Sequence, residues 1–148
     1  SVIHVLASAR PELYRDKAEF IAPVFPSETA DRETRSNPSV CTLFGSPHLG
    51  RRSEMLAKLS IEGVETTNLL EYYDFAKAFS HCGILLSLRQ FDHFQTMKEL
   101  RLLPALRQGV VVVAEEFPYS EHVSYAPFLV TTDKDSFPEI TKQVLENS

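Results

Sequence analysis

The sequence predicts an α/β fold in which a mostly parallel sheet carries helices on both faces, giving three layers. Apolar runs of strand length alternate with amphipathic stretches along the chain. Runs such as GILLSL and VVVVA are apolar almost throughout, which is typical of strands buried on both faces. The 148 residues are about the size of one domain. We expect residues 1–148 to form this single domain, with a proline-rich loop or linker at residues 22–39.

Each strand and helix is predicted from its own hydrophobic pattern. Six short apolar runs are predicted as strands: Val2–Leu6, Val40–Phe44, Val64–Thr66, Gly83–Leu88, Val110–Ala114 and Phe128–Thr131. Five amphipathic stretches are predicted as helices: Pro11–Phe20, Arg51–Leu59, Leu69–Phe79, Thr96–Arg107 and Ser136–Glu146. Ser136 and Glu139 have the spacing of a capping box at the start of the last helix. Pro104 lies inside the fourth helix, where we expect it to kink or divide the helix.

The composition argues against two classes of protein. The formal net charge is −5, whereas nucleic-acid-binding domains are normally basic. No apolar run approaches the roughly 20 residues that a membrane-spanning helix needs, and no signal segment opens the chain. We therefore expect neither nucleic acid nor a membrane span. Cys41 and Cys82 each lead into an apolar run, so they are predicted to be reduced core thiols, which favours a cytoplasmic location.

The first candidate binding segment follows the strand Val40–Phe44. Gly45 and Ser46 come directly after this strand, where open α/β sheets bind their ligands, and a glycine lets a ligand approach the backbone. Arg51 and Arg52 then begin a helix, although the positive end of the helix dipole disfavours cations there. A phosphate bound at this helix N-terminus would offset the repulsion. The alternative is an ordinary turn followed by two solvated arginines.

Polar residues also follow the next two long strands. Arg89, Asp92 and His93 follow GILLSL and are candidate ligand contacts, with His93 as a candidate acid–base group. The alternative for this segment is a hydrogen-bonded surface loop. Glu115 and Glu116 follow VVVVA, where a carboxylate can accept hydrogen bonds from ribose hydroxyls. The alternative for these two residues is a pair of solvated loop charges.

Asp133 and Asp135 form a D-x-D pattern near the end of the chain. Such a pair can hold Mg²⁺ or Mn²⁺ through its carboxylate oxygens. Here it directly precedes a predicted helix, whose dipole favours acidic residues at its start. We therefore interpret the pair as part of a helix cap, and the sequence predicts no metal site and no cofactor.

A series of motifs in the middle of the chain resembles a known family. FGSPHLGRR, GVETTN, DFAKAFSHCGILLSLR and VVVVAEE follow one another in this order, and Arg101 lies eight residues before Gly109. Residues 44–116 thereby resemble the C-terminal, nucleotide-sugar-binding half of a GT-B glycosyltransferase. The resemblance covers about half of the chain and implies a Rossmann-like domain.

The resemblance implies a role for several of the candidate residues. Gly45 would let the diphosphate of the sugar donor approach, and Arg51 or Arg52 would lie near its phosphates. Arg101 would contact the diphosphate or the sugar, and Glu115 would bind the ribose. Three of these residues lie at or just past strand ends, and Arg101 lies on the helix that leads into the last of those strands. We therefore expect Gly45, Arg51, Arg101 and Glu115 to converge on one cleft at the carboxyl edge of the sheet.

The function that follows is a glycosyltransferase-like domain that binds a nucleoside diphosphate sugar. Arg101 and the helix N-terminus near Arg51 would stabilise the charge on the leaving diphosphate without an obligatory metal, and His93 is the candidate base. One such domain forms only half of a GT-B cleft, so a second acceptor-binding domain or a partner chain is expected. The first alternative is a non-catalytic Rossmann-like interaction domain. The second, a flavodoxin- or response-regulator-like module, is disfavoured because no acidic cluster follows the first strand.

Overall fold

The computed structural model describes residues 39–42, 46–69, 75–93, 98–118 and 123–148. The predicted strand Val2–Leu6, the predicted helix Pro11–Phe20 and residues 22–38 of the predicted loop or linker lie outside these ranges. Gly45, a predicted binding residue, also lies outside them. Within the described ranges, no helix combines the length and the apolar character needed to cross a membrane.

Five strands of the described part of the chain form one parallel sheet. They are β1 (Ser39–Thr42), β2 (Thr66–Asn68), β3 (Cys82–Ser87), β4 (Val111–Glu115) and β5 (Leu129–Thr132). Their order across the sheet is β2-β1-β3-β4-β5, and each adjacent pair is parallel. The predicted α/β, Rossmann-like fold is therefore confirmed. Cys41 and Cys82 are buried in β1 and β3 and form no disulfide, as expected.

The helices of the described ranges connect or follow these strands. They are α1 (Arg51–Ile61), α2 (Phe75–Phe79), α3 (Glu99–Arg107) and α4 (Phe137–Glu146), and a 3₁₀ turn at Ala126–Phe128 leads into β5. Helix α3 is not divided at Pro104, which lies within its span. Because proline has no backbone N–H, Pro104 removes one internal hydrogen bond of α3, the one that would reach the carbonyl of Leu100.

The helices cover both faces of the sheet and enclose two buried clusters. On one face α1 packs against α4, and one cluster joins Met55 of α1 to Ile84 and Leu86 of β3. On the other face α2 packs against α3, and a second cluster joins Leu102 of α3 to Leu85 of β3. Successive residues of β3 thus enter opposite clusters, as the alternation of side chains along a strand requires. The result is the expected three-layer arrangement.

The connections leave β1 and β3 in opposite directions across the sheet. β1 continues through α1 to β2 on one side, whereas β3 continues through α3 to β4 on the other side. In doubly wound sheets a crevice opens at the carboxyl ends of such a pair of strands, and ligands bind there. The residues that follow β1 and β3 therefore border the place at which a binding site is expected.

Candidate functional site

The loop that follows β3 packs directly against the beginning of α1. The N–H of Arg51 donates a hydrogen bond to the carbonyl of Gln90, with 3.2 Å between nitrogen and oxygen. Gly50, which precedes α1, has a φ of 62° and a ψ of −147°. A Cβ added to Gly50 would lie 2.2 Å from the Gln90 oxygen. Both the backbone conformation and the close approach therefore require glycine at this position. Because Gln90 takes up the first N–H of α1, that donor is not available to an anion.

A buried carboxylate at the end of β4 joins α1 to the same loop. Glu115 is only 3% exposed. Its Oε1 accepts a hydrogen bond from Nη2 of Arg51 at 2.5 Å, and its Oε2 accepts one from the backbone N–H of Arg89 at 2.5 Å. Nη1 of Arg51 also contacts Oδ1 of Asp92 at 2.9 Å. We call Glu115, Arg51, Arg89 and Asp92 the Glu115 clamp.

The Arg89 side chain connects this loop to the residue that follows β4. Its Nη2 donates a hydrogen bond to the carbonyl of Glu116 at 2.9 Å, and its Nε lies 3.9 Å from Oε2 of Glu115. The N–H of Glu116 in turn donates to the carbonyl of Thr132 at 2.9 Å. Glu116 thus contributes its backbone to the network, while the residue as a whole is exposed.

Lys98, beside the carboxyl end of β3, lies within electrostatic range of two further cationic residues, Arg52 and Arg101. Arg52 of α1 is only 2% exposed, and its Nη1 donates a hydrogen bond to the carbonyl of Ser46 at 3.4 Å. Lys98 directly precedes α3 and Arg101 lies in its first turn, and both line a cleft of about 20 Å³ beside Ser87. Burial, together with the charges of Arg52 and Arg101, lowers the pKa of Lys98 to about 8. We call Arg52, Lys98 and Arg101 the cationic cluster.

The cationic cluster favours the binding of an anion. Its positive charges repel one another, and this repulsion adds to burial in lowering the pKa of Lys98. A phosphate group would accept charge-assisted hydrogen bonds from guanidinium and ammonium donors and would offset the repulsion. A cleft of about 20 Å³ has room for little more than one water molecule. A phosphate would therefore contact the cluster from its solvent side.

Five of the predicted site residues fall into two groups at the same edge of the sheet. Arg51, Arg89 and Glu115 belong to the Glu115 clamp, whereas Arg52 and Arg101 belong to the cationic cluster. The sequence left Arg51 and Arg52 as alternatives for contact with phosphates, and the geometry separates them. Arg51 is held by two carboxylates, and Arg52 lies within electrostatic range of Lys98. A single cleft that also includes Gly45 stays a prediction.

The sequence analysis did not identify Lys98 as a site residue. Lys98 lies three residues before Arg101, a spacing that brings two side chains together on one side of a helical turn. This signal was present in the sequence. The contact between Gly50 and Gln90 had no such signal, because it joins segments that are distant in the chain.

The candidate base His93 lies in the loop that follows β3. The residue is exposed, and its ring stacks on that of Phe91 with 5.5 Å between the ring centroids and 6° between the planes. Stacking of this kind orients the imidazole ring. A role of His93 as an acid or base stays a prediction.

Asp133 caps the start of α4 in place of Ser136. Its Oδ1 accepts hydrogen bonds from the N–H groups of Asp135 at 2.8 Å and Ser136 at 2.9 Å, and its Oδ2 accepts one from the Ser136 hydroxyl at 2.8 Å. The hydrogen bonds from Ser136 are the main reason that the pKa of Asp133 is lowered. The predicted capping box is wrong, because the Ser136 side chain makes no hydrogen bond that caps the helix. Among the described residues, no three or more His, Cys, Asp and Glu side chains form a group suited to a metal ion.

A larger cavity of about 560 Å³ lies elsewhere, beside β1 and β2. Its walls include Cys41, Asn68, Lys77 and His81. The predicted site residues of the described ranges do not line it. The candidate functional site is therefore the carboxyl edge of the sheet between β1 and β3.

Similarity to known proteins adds nothing to this description. Comparison of the chain with protein-family models, with curated proteins and with solved structures finds no match. The chemistry of the cationic cluster and of the Glu115 clamp is therefore the basis for a functional assignment.

Proposed function

We propose that this chain is the nucleotide-sugar-binding domain of a GT-B type glycosyltransferase and contributes to the transfer of a sugar from a nucleoside diphosphate. The observation that carries the proposal is the cationic cluster at the carboxyl end of β3, next to the point where the connections of the sheet reverse direction. Sheets of this kind bind phosphorylated ligands at that point. The motifs of residues 44–116 suggest the sugar nucleotide, and the cationic cluster supplies the charge that its phosphates need.

The cationic cluster matches a diphosphate in charge at neutral pH. Lys98 is mostly protonated there because its pKa is about 8. A bound diphosphate would favour the charged form of Lys98 and would raise its pKa again. Arg52 and Arg101 supply the other two positive charges of the cluster.

The same cluster would stabilise a diphosphate as it leaves a sugar. When the bond between the sugar and the diphosphate breaks, negative charge increases on the leaving phosphate oxygen. Donors that are already oriented stabilise such charge most effectively, since they need no rearrangement during the reaction. Arg52 is buried, and Lys98 and Arg101 lie at the start of one helix. The acceptor would be supplied by a second domain or a partner chain.

Calorimetric titration with UDP tests this proposal. Arg101→Ala should weaken UDP binding about ten- to a hundredfold, because a charge-assisted hydrogen bond to the diphosphate is lost. Arg107→Ala is the matched control, since it removes the same charge from the exposed far end of α3 and should leave the affinity nearly unchanged. Asp133→Ala should also leave the affinity unchanged, with or without Mg²⁺ or Mn²⁺, because Asp133 caps a helix.

Three results would contradict the proposal. Equal losses for Arg101→Ala and Arg107→Ala would show that the diphosphate does not bind at the cationic cluster. If UDP binding required Mg²⁺ or Mn²⁺ and Asp133→Ala abolished this metal-dependent binding, the site would lie at the D-x-D pattern. If the unsubstituted chain bound no UDP-, GDP- or ADP-sugar and no bare nucleotide in a thermal-shift screen, the non-catalytic interaction domain would be favoured.

A further inference from the structure

We infer that Glu115 is a positioning residue, which holds α1 and the loop after β3 in place around the proposed phosphate site and does not itself bind the ligand. The inference rests on the proposed function, because the site that Glu115 positions is the one proposed above. It differs from the ribose-binding role that the GT-B resemblance implies for this residue.

Both carboxylate oxygens of Glu115 are already engaged inside the protein. One accepts from the Arg51 guanidinium and the other from the Arg89 N–H, each at 2.5 Å. The Glu115 side chain is 1% exposed and that of Arg51 is 9% exposed. Because solvent barely reaches this carboxylate, a ribose hydroxyl could approach either oxygen only by displacing one of these donors. Such a displacement is unfavourable, because a buried charge would lose its partner.

The Glu115 clamp connects the two segments that carry the cationic cluster. Arg51 and Arg52 are neighbours in the first turn of α1, so the ion pair between Arg51 and Glu115 fixes the part of α1 that presents Arg52. The Arg89 N–H fixes the beginning of the connection that leads from β3 towards Lys98 and α3. Glu115 therefore sets the position of one cation relative to the others through Arg51 and Arg89.

Titration of Glu115→Gln and Arg51→Met with two probes, pyrophosphate and UDP, tests the inference. Glutamine keeps the shape of the Glu115 side chain and removes its charge. We expect each variant to bind both probes about 2- to 30-fold more weakly, the range seen when coupled residues outside a site are changed. The factor should be the same for the two probes, because a displaced cationic cluster affects phosphates and not ribose. The double variant should lose less than the sum of the two single losses, since both substitutions break the contact between Arg51 and Glu115.

Val64→Ala is the control for reduced stability alone. Val64 is 1% exposed and follows α1 at the end remote from the clamp. Its truncation leaves a cavity in the core, which lowers the melting temperature without altering the site. All titrations are run well below the melting temperature of each variant. Val64→Ala should then bind both probes as tightly as the unsubstituted chain, and the conservative variant Arg51→Lys should recover part of the affinity lost in Arg51→Met.

The two probes separate failure of the inference from failure of the proposed function. If Glu115→Gln weakened UDP binding but left pyrophosphate binding unchanged, Glu115 would be a ribose ligand and the inference would be overturned. If it left both affinities unchanged, the inference would be overturned while the proposed function stood. If the unsubstituted chain bound neither probe, the proposed function would be overturned and this inference with it.

Discussion

Replacement of Gly50 by alanine should destabilise the protein and disturb the candidate site at the same time. With a φ of 62° and a ψ of −147°, Gly50 occupies a region that other residues enter at a cost of about 1–3 kcal/mol. The new Cβ would lie 2.2 Å from the Gln90 oxygen, so the loop after β3 would have to move away from α1. That movement weakens the hydrogen bond between Arg51 and Gln90, which is worth about 1 kcal/mol. We therefore expect a loss of about 2–4 kcal/mol in the free energy of unfolding.

Gly63→Ala is the matched control for this substitution. Gly63 also has a positive φ, of 80°, but a Cβ added there would have no neighbour within 4 Å. Its replacement by alanine therefore costs only the free energy of holding a Cβ-bearing residue in the left-handed conformation, about 1–2 kcal/mol. The difference between the two variants measures the contact between Gly50 and Gln90.

Urea unfolding followed by circular dichroism measures both losses. Thermal melting gives a second measurement of the same difference. For a chain of about this length, each 1 kcal/mol of lost stability lowers the melting temperature by about 2–4 °C, so Gly50→Ala should melt below Gly63→Ala. Gly50→Ala should also weaken the binding of UDP, whereas Gly63→Ala should not. Equal destabilisation by the two substitutions, or a Gly50→Ala variant as stable as the unsubstituted chain, would refute the packing of the loop on Gly50.

Two further predictions concern pH. The affinity for UDP should fall as pH rises through about 8, because Lys98 loses its charge there. Lys98→Met should weaken UDP binding and remove most of this decline. A decline that persisted in the variant would exclude Lys98 as its cause. Asp133→Ala should lower the melting temperature at neutral pH. The pKa of Asp133 lies below its usual 3.8, so its stabilising contribution is complete above 3.8 and is lost as pH falls through the lowered value. The melting temperatures of Asp133→Ala and of the control Asp135→Ala should therefore differ at neutral pH and converge in acid. Equal melting temperatures of the two variants at every pH would contradict the capping role of Asp133.

The two longest strands of the described sheet, β3 and β4, follow closely from the sequence. A parallel strand covered on both faces needs apolar residues at successive positions, and runs of that kind are easy to recognise. β3 and β4 match the runs GILLSL and VVVVA to within one residue at each end. Because the ends of the strands follow from the same runs, Arg89 and Glu115 were correctly placed at the carboxyl edge of the sheet.

The local sequence pattern did not identify the residue that caps α4, because two nearby residues can each make that contact. Ser136 has the spacing of a capping box with Glu139, but the carboxylate of Asp133 accepts three hydrogen bonds at this helix start. An ionised acceptor forms stronger hydrogen bonds than a hydroxyl group, so Asp133 takes the capping role. The Ser136 hydroxyl then becomes one of its donors.

The sequence by itself determined the elements, their parallel arrangement and the set of charged residues that end at one edge of the sheet. Only the tertiary structure decided which of those residues face one another. Arg51 and Arg52 are identical side chains at neighbouring positions, but successive residues of a helix point about 100° apart. Arg51 therefore reaches Glu115, while Arg52 lies buried near Lys98. Glu115 reads in the sequence as an open carboxylate at a strand end. It is enclosed because the pairing of β4 with β3 brings it against donors from distant parts of the chain, and such contacts leave no local pattern.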